Sequence, residues 1–192
     1  MKIRTKRTIR KVAFMLVVTL MMSKTILASD IFKGGLPSVE VKSLKFRYTT
    51  NSTYGNKFIV PAANYWNGIS SKVSMTSTTS DTAKVSVYAE TTTQNGLLGL
   101  VVPYYETISG SISEDTNLTK TWIFCDLFGY YNQMQSFNMT DSQIISNYAH
   151  EFGHTLSLSH PSSSVTALMK QGIQSIKPQT HDKNNLKAKW GA

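Results

Sequence analysis

His150, Glu151, His154 and His160 combine the residue types and the spacing of a metal-dependent hydrolytic site. On a helix, residues four apart share a face, so the His150 and His154 imidazoles can converge on one ion while Glu151 stands beside it as a carboxylate base. His160 lies too far along to stay on that face of a straight helix. The chain must therefore leave the helix near Ser157 and turn back to supply a third nitrogen. Three nitrogen ligands leave the fourth position of a tetrahedral zinc ion open, which catalysis requires and a structural site avoids. An ordinary amphipathic helix can also place two histidines on one face without any metal, and the third histidine is what separates the two readings.

The run from His150 to His160, followed by Ala167-Leu168-Met169, resembles the metzincin clan of zinc peptidases, whose pattern is HExxHxxGxxH with a methionine turn beyond it. Within the clan it is most similar to a small matrixin-type catalytic domain. The resemblance implies one catalytic zinc held by His150, His154 and His160, with Glu151 as general base. It implies Met169 as the Met-turn residue, packing a floor under the histidines without touching the metal. The implied activity is that of a zinc metalloendopeptidase acting on protein or peptide substrates. An edge strand within Leu98 to Ser113 would form the substrate rim, and the loop from Lys170 to Gln179 would line the pocket for the residue after the scissile bond.

Two positions depart from the pattern. Ser157 stands where the clan has glycine, which puts a side chain in a sharp turn that can require positive φ. After Met169 come Lys170 and Gln171, so the tyrosine ligand of astacin-like and serralysin-like relatives has no counterpart. Calcium accompanies many matrixin relatives, but no Asp-rich loop here has the oxygen density to assign it. A matrixin zymogen blocks its zinc with a propeptide cysteine; no cysteine precedes the first expected strand. The alternative function is a secreted zinc-containing binding or adhesion module without catalysis, in which Ser157 marks a site drifting from chemistry. Such a module has no use for Glu151 beside the first histidine.

The formal charge of +9 over 192 residues invites a nucleic-acid reading, but seven of the 20 basic residues lie within residues 1–29, which hold no acid. The remaining 13 basic and 11 acidic residues leave +2, so no nucleic-acid partner is expected. Lys2, Arg4, Lys6, Arg7, Arg10 and Lys11 precede the apolar run Val12 to Met22 and a small-residue exit at Ala28-Ser29. That order matches a secretory signal peptide rather than a spanning helix, which needs about 20 apolar residues. The expectation is a signal peptide over 1–29 and a single catalytic domain over 30–192, secreted and extracellular, without a stable membrane anchor after cleavage and monomeric. The sole cysteine, Cys125, permits no internal disulfide and reads as a buried thiol in a strand.

The elements that must position the site follow from periodicity. Leu44, Phe46 and Tyr48 alternate with Lys45 and Arg47 as a first strand, Asn51 to Asn56 reads as a polar loop, and Ile59, Ala62, Trp66, Ile69 and Val73 recur at helical spacing. Ser74 to Thr82 reads as a loop, Val85, Val87 and Ala89 as a second strand, and Leu97 to Tyr105 as a third that Pro103 assigns to an edge. Thr121 to Leu127 forms another strand, followed by an aromatic loop from Phe128 to Phe137. Thr140-Asp141-Ser142-Gln143 is a capping box that starts the active-site helix one residue after Thr140, with Ile145, Ala149, Phe152 and Leu156 facing the sheet. Thr180 or Asp182 opens a last helix anchored by Leu186 and Trp190, where His181 reads as a surface or capping residue. The predicted fold class is α+β, a metzincin-like zincin fold with a twisted mixed sheet of four to five strands, an active-site helix, a backing helix and a C-terminal helix.

Overall fold

The computed structural model describes residues 30–162 and 164–192, so the expected signal peptide over 1–29 lies outside the described residues. The chain follows the α+β class, with six strands where four to five are expected. In chain order these are β1 (Leu44–Tyr48), β2 (Met75–Ser77), β3 (Val85–Glu90), β4 (Gly99–Glu106), β5 (Ile112–Glu114) and β6 (Phe124–Tyr130). They form one sheet in the order β2-β1-β3-β6-β4-β5. β1, β2, β3 and β6 run parallel, while β4 is antiparallel to β6 and to β5. The strands missing from the expectation are three-residue pieces, too short to carry an alternating pattern: β2 falls in the Ser/Thr-rich stretch read as a loop.

Among the helices, α1 (Ser38–Val41) is a single turn, α4 (Tyr131–Ser136) follows β6, α5 (Asp141–Thr155) carries the histidines, and α6 (Thr180–Trp190) closes the chain. The backing helix starts earlier than its apolar period suggests. It is built from α2 (Ser52–Tyr54), a wider π turn over Gly55–Ile59 and α3 (Val60–Asn64). Asn51, read as loop, is its N-cap: the side-chain oxygen accepts from the Tyr54 N–H at 2.9 Å. The π turn lies immediately ahead of Pro61, which has no N–H to return to the preceding turn. Gly55 is required there because a Cβ would collide with the Tyr48 ring.

β6 also begins later than expected and runs on through Tyr130, so the aromatic loop read over Phe128 to Phe137 is the end of this strand followed by α4. Its outward row explains the misreading. Phe128 stacks on Tyr88 at 5.1 Å and lies parallel to Tyr130, so aromatic side chains on the half-buried face of the sheet look, in sequence, like a loop of ring residues. The inward row, Cys125, Leu127 and Gly129, faces the helices.

The core lies between this inner face and the helices. Phe46 of β1 meets Phe152 of α5 edge to face at 5.1 Å, and Trp66 is fully buried with its indole N–H donating to the Ala149 carbonyl at 2.8 Å. Gly129 lets the Tyr148 ring reach the sheet, since a Cβ there would sit 2.4 Å from the ring. Cys125 is fully buried, and burial pushes its thiol far above the usual range. A thiol reagent such as an aromatic disulfide is therefore expected to leave the native protein unmodified and to titrate one thiol in denaturant. Rapid native-state labelling would contradict this packing.

Candidate metal centre

α5 starts where its capping box places it. Thr140 Oγ1 accepts from the Gln143 N–H, and the Gln143 side chain accepts from the Thr140 N–H at 2.8 Å, so two otherwise unpaired donors of the first turn are satisfied. The helix ends in a Schellman motif: the Ser157 N–H reaches the His154 carbonyl at 2.9 Å and the Leu158 N–H reaches the Gly153 carbonyl at 3.0 Å. Ser157 takes the left-handed position of this motif at φ 64°. The turn sends the chain back so that His160 faces the two helical histidines.

The three Nε2 atoms lie 3.0 to 3.1 Å from one another. Their other nitrogens show what those contacts mean. His150 Nδ1 lies 2.9 Å from the Leu168 carbonyl and His154 Nδ1 lies 2.8 Å from the Leu158 carbonyl, so in each neutral ring the proton sits on Nδ1. Nε2 of both rings then presents a lone pair, and no hydrogen lies between them. Burial also holds His150 down at about 4 and His154 well below the ordinary imidazole value, which keeps both rings neutral. Converging lone pairs repel unless a cation sits among them. Zinc–nitrogen bonds of about 2.05 Å in a tetrahedron place nitrogens about 3.3 Å apart, so the donor set fits such an ion to within a few tenths of an ångström.

The two carbonyls that orient these rings are themselves fixed. Leu168 and Met169 offer their backbone N–H groups to the buried Asp182 carboxylate at 2.7 and 3.1 Å, and the Gln179 N–H joins them at 2.7 Å. One side chain at the start of α6 thus holds the turn whose carbonyl aims His150. Met169 is buried beneath the site, and Gly153 is what admits it: a Cβ at that helical position would collide with the Met169 sulfur and lie 2.8 Å from the Trp66 ring.

On the other side, the segment entering the fold braces the loop to His160. The Phe32 N–H donates to the Ser157 carbonyl at 2.8 Å, the Ser159 N–H donates to the Asp30 carbonyl at 2.9 Å, and the Phe32 ring stacks on His154 at 5.8 Å. Lys189 of α6 caps the Phe32, Lys33 and Gly34 carbonyls at 2.8 to 3.0 Å. His181, read as a surface or capping histidine, instead pairs with Asp30 at 2.7 Å and does not approach the other three. Phe32, Gly99, Asp182 and Lys189 were not singled out from sequence for the site. Asp182 alone left a signal, as an acid three residues after Gln179 in a second capping box.

Glu151 is 5% exposed, and its carboxyl group lies against Gly99 of β4, where an added Cβ would sit 2.6 Å from Oε1. Burial pushes its carboxyl up to about 8, and a dication held by the neighbouring imidazoles would pull that value back down. The histidines and Glu151 open into one cleft of about 770 Å³, bordered by β4 on one side and by the loop after Met169, through Gln171, Gly172 and Gln174, on another.

Ser157 carries a local cost. Its Oγ is buried without a hydrogen-bond partner, and it fits only because Gly35 has no Cβ to meet it. Ser157→Gly removes a left-handed strain of about 1 kcal/mol and an unpaired hydroxyl worth about 1–3 kcal/mol, against a glycine entropy cost of about 0.5–1 kcal/mol. The variant is expected to be more stable by at least about 1 kcal/mol, a rise in Tm of at least about 2–4 °C for a chain of this size. A fall in Tm would mean the hydroxyl has a partner in solution.

No family model matches the sequence, and no curated protein matches it. Among solved structures, the crystal structure of myroilysin aligns with 86% of this chain and 93% of its own at a TM-score of 0.49 and 12% identity. At that identity the likeness assigns no role to any residue. No helix among the described residues is long and apolar enough to cross a membrane.

Proposed function

We propose that this chain is an exported zinc metalloendopeptidase of metzincin type, acting as a monomer on protein or peptide substrates. The observation that carries the reading is the convergence of three imidazole Nε2 atoms at 3.0 to 3.1 Å, two of them with their lone pairs turned inward, in the same cleft as a buried carboxylate that makes no ion pair among the described residues. His150, His154 and His160 would hold the ion where the cleft opens to solvent and substrate. When bound, zinc supplies Lewis acidity to a substrate carbonyl and brings the pKa of water toward neutrality. Glu151 takes the proton from the attacking water and returns it to the departing amine, and its position against Gly99 keeps the carboxylate on the cleft side of α5.

The backbone of β4 supports the binding of an extended chain. The Leu98 carbonyl accepts from the Tyr130 N–H and the Tyr104 carbonyl accepts from the Ile123 N–H, so even-numbered residues of β4 turn their backbone groups toward β6. Residues of odd number turn theirs to the opposite edge. β5 covers that edge only from Tyr104 to Glu106, and the Pro103 carbonyl is taken by the Asp115 N–H. Among the described residues, the N–H and C=O groups of Gly99 and Val101 are therefore left without partners along the cleft, a two-residue ladder for a peptide strand. Leu98 to Ser113, expected as the rim, narrows to this stretch.

The test is digestion of an unfolded casein-type substrate by the zinc-loaded protein. Cleavage that stops with a zinc chelator and returns with zinc is expected; cleavage indifferent to the chelator would overturn the reading.

A further inference from the structure

The cleft has two chemically distinct ends. Asn147 stands one turn before His150, and its amide N–H donates to the Leu98 carbonyl at 3.2 Å; the neighbouring Ser146 hydroxyl donates to the Ile176 carbonyl at 3.0 Å, which ties the loop of Gln171 and Gln174 to this end, and among the described residues neither the Asn147 side-chain oxygen nor the two glutamine amides have a partner. About 10 Å along α5, at its rise of 1.5 Å per residue, the other end begins beside His154. There the lining is Phe32 and Leu118, backed by the buried Pro103 and by Trp122, whose ring lies 6.4 Å from that of Phe32. Apart from Glu151 and the three imidazoles, no ionisable side chain lines the cleft among the described residues.

From this lining we infer that the cleft selects uncharged peptide segments, with an amide or hydroxyl side chain at the Asn147–Gln171–Gln174 end and an apolar or aromatic one at the Phe32–Leu118 end. The inference rests on the peptidase reading and adds the substrate class to it. A charged substrate side chain entering either end loses hydration and meets no countercharge, whereas a glutamine or serine trades water for the amides of Gln171 and Gln174. An aromatic side chain at the far end gains contact with the half-buried Phe32 and Leu118 without burying a polar group.

The test is cleavage of a randomised peptide mixture by the zinc-loaded protein, with product ends sequenced, for wild type and for Gln174→Lys. Wild type should disfavour Asp, Glu, Lys and Arg at least ~10-fold at the two positions flanking the cut, with polar uncharged residues on one side and apolar on the other. Gln174→Lys should raise the use of glutamate relative to glutamine ~10-fold on the polar side only. Gln171→Lys, at an exposed position that tolerates any side chain, should act in the same direction and guards against a folding defect in the first variant. Cleavage beside charged residues as readily as neutral ones, or identical profiles in all three proteins, overturns the inference alone. Absence of any chelator-sensitive cleavage overturns the peptidase reading and the inference with it.

Discussion

Replacing Glu151 with glutamine should lower peptide hydrolysis by about 10²- to 10⁴-fold, the loss expected on removing a positioned proton acceptor, while zinc content and fold are retained. Glutamine is nearly isosteric with glutamate, so it fits against Gly99 as the native side chain does. The residue is not one of the three converging nitrogens and makes no ion pair that the neutral amide would break. Removing an acid buried without a charged partner relieves a desolvation cost, so thermal stability of the metal-free variant should be unchanged or raised. Zinc content, thermal unfolding and hydrolysis are to be measured on the same preparations. Equal hydrolysis by the two proteins would place the activity elsewhere, and loss of zinc together with activity would give Glu151 a structural part.

The largest stability effect is expected at Asp182. Its two carboxylate oxygens satisfy the backbone N–H groups of Leu168, Met169 and Gln179, all at 3.1 Å or less, in a site 1% exposed. Asp182→Ala leaves three donors without partners, two of them, Leu168 and Met169, buried. At about 1–3 kcal/mol for each stranded group, reduced by relaxation, the expected loss is about 3–5 kcal/mol. The Leu168 carbonyl that aims His150 sits on the same turn, so zinc affinity should fall as well, by the 10- to 100-fold typical of losing an outer-shell partner of a metal ligand. Denaturant unfolding of the metal-free proteins gives the first quantity, and competition with a chromophoric chelator gives the second. A loss below about 1 kcal/mol would show that the turn is held by other contacts.

What the sequence shows of this molecule follows the range over which its forces act. The start of α5 is legible because a capping box is a contact between residues three apart, and the convergence of His150 and His154 is legible because one helical turn fixes it. His160 is legible only as a need for a turn; that the turn is a Schellman motif tolerating serine depends on Gly35, far away in sequence, lacking a Cβ. The beginning of the backing helix is hidden because Asn51 and the polar residues after it have the composition of a loop, although the first of them caps a helix. β2 and β5 are hidden because three residues carry no period. The supports of the site, Phe32 on His154 and Asp182 under Leu168, join segments brought together only by the folded core, and no local pattern encodes them.

Whether His150, His154 and His160 form a zinc centre is decided by the zinc stoichiometry of wild type and His154→Ala at nanomolar free zinc. Two imidazoles cannot hold the ion in an open tetrahedral site. One zinc per wild-type chain and none in the variant is the expected result, with the variant's metal-free fold intact by circular dichroism. Full zinc occupancy in His154→Ala, or an empty wild-type protein under the same conditions, would contradict it.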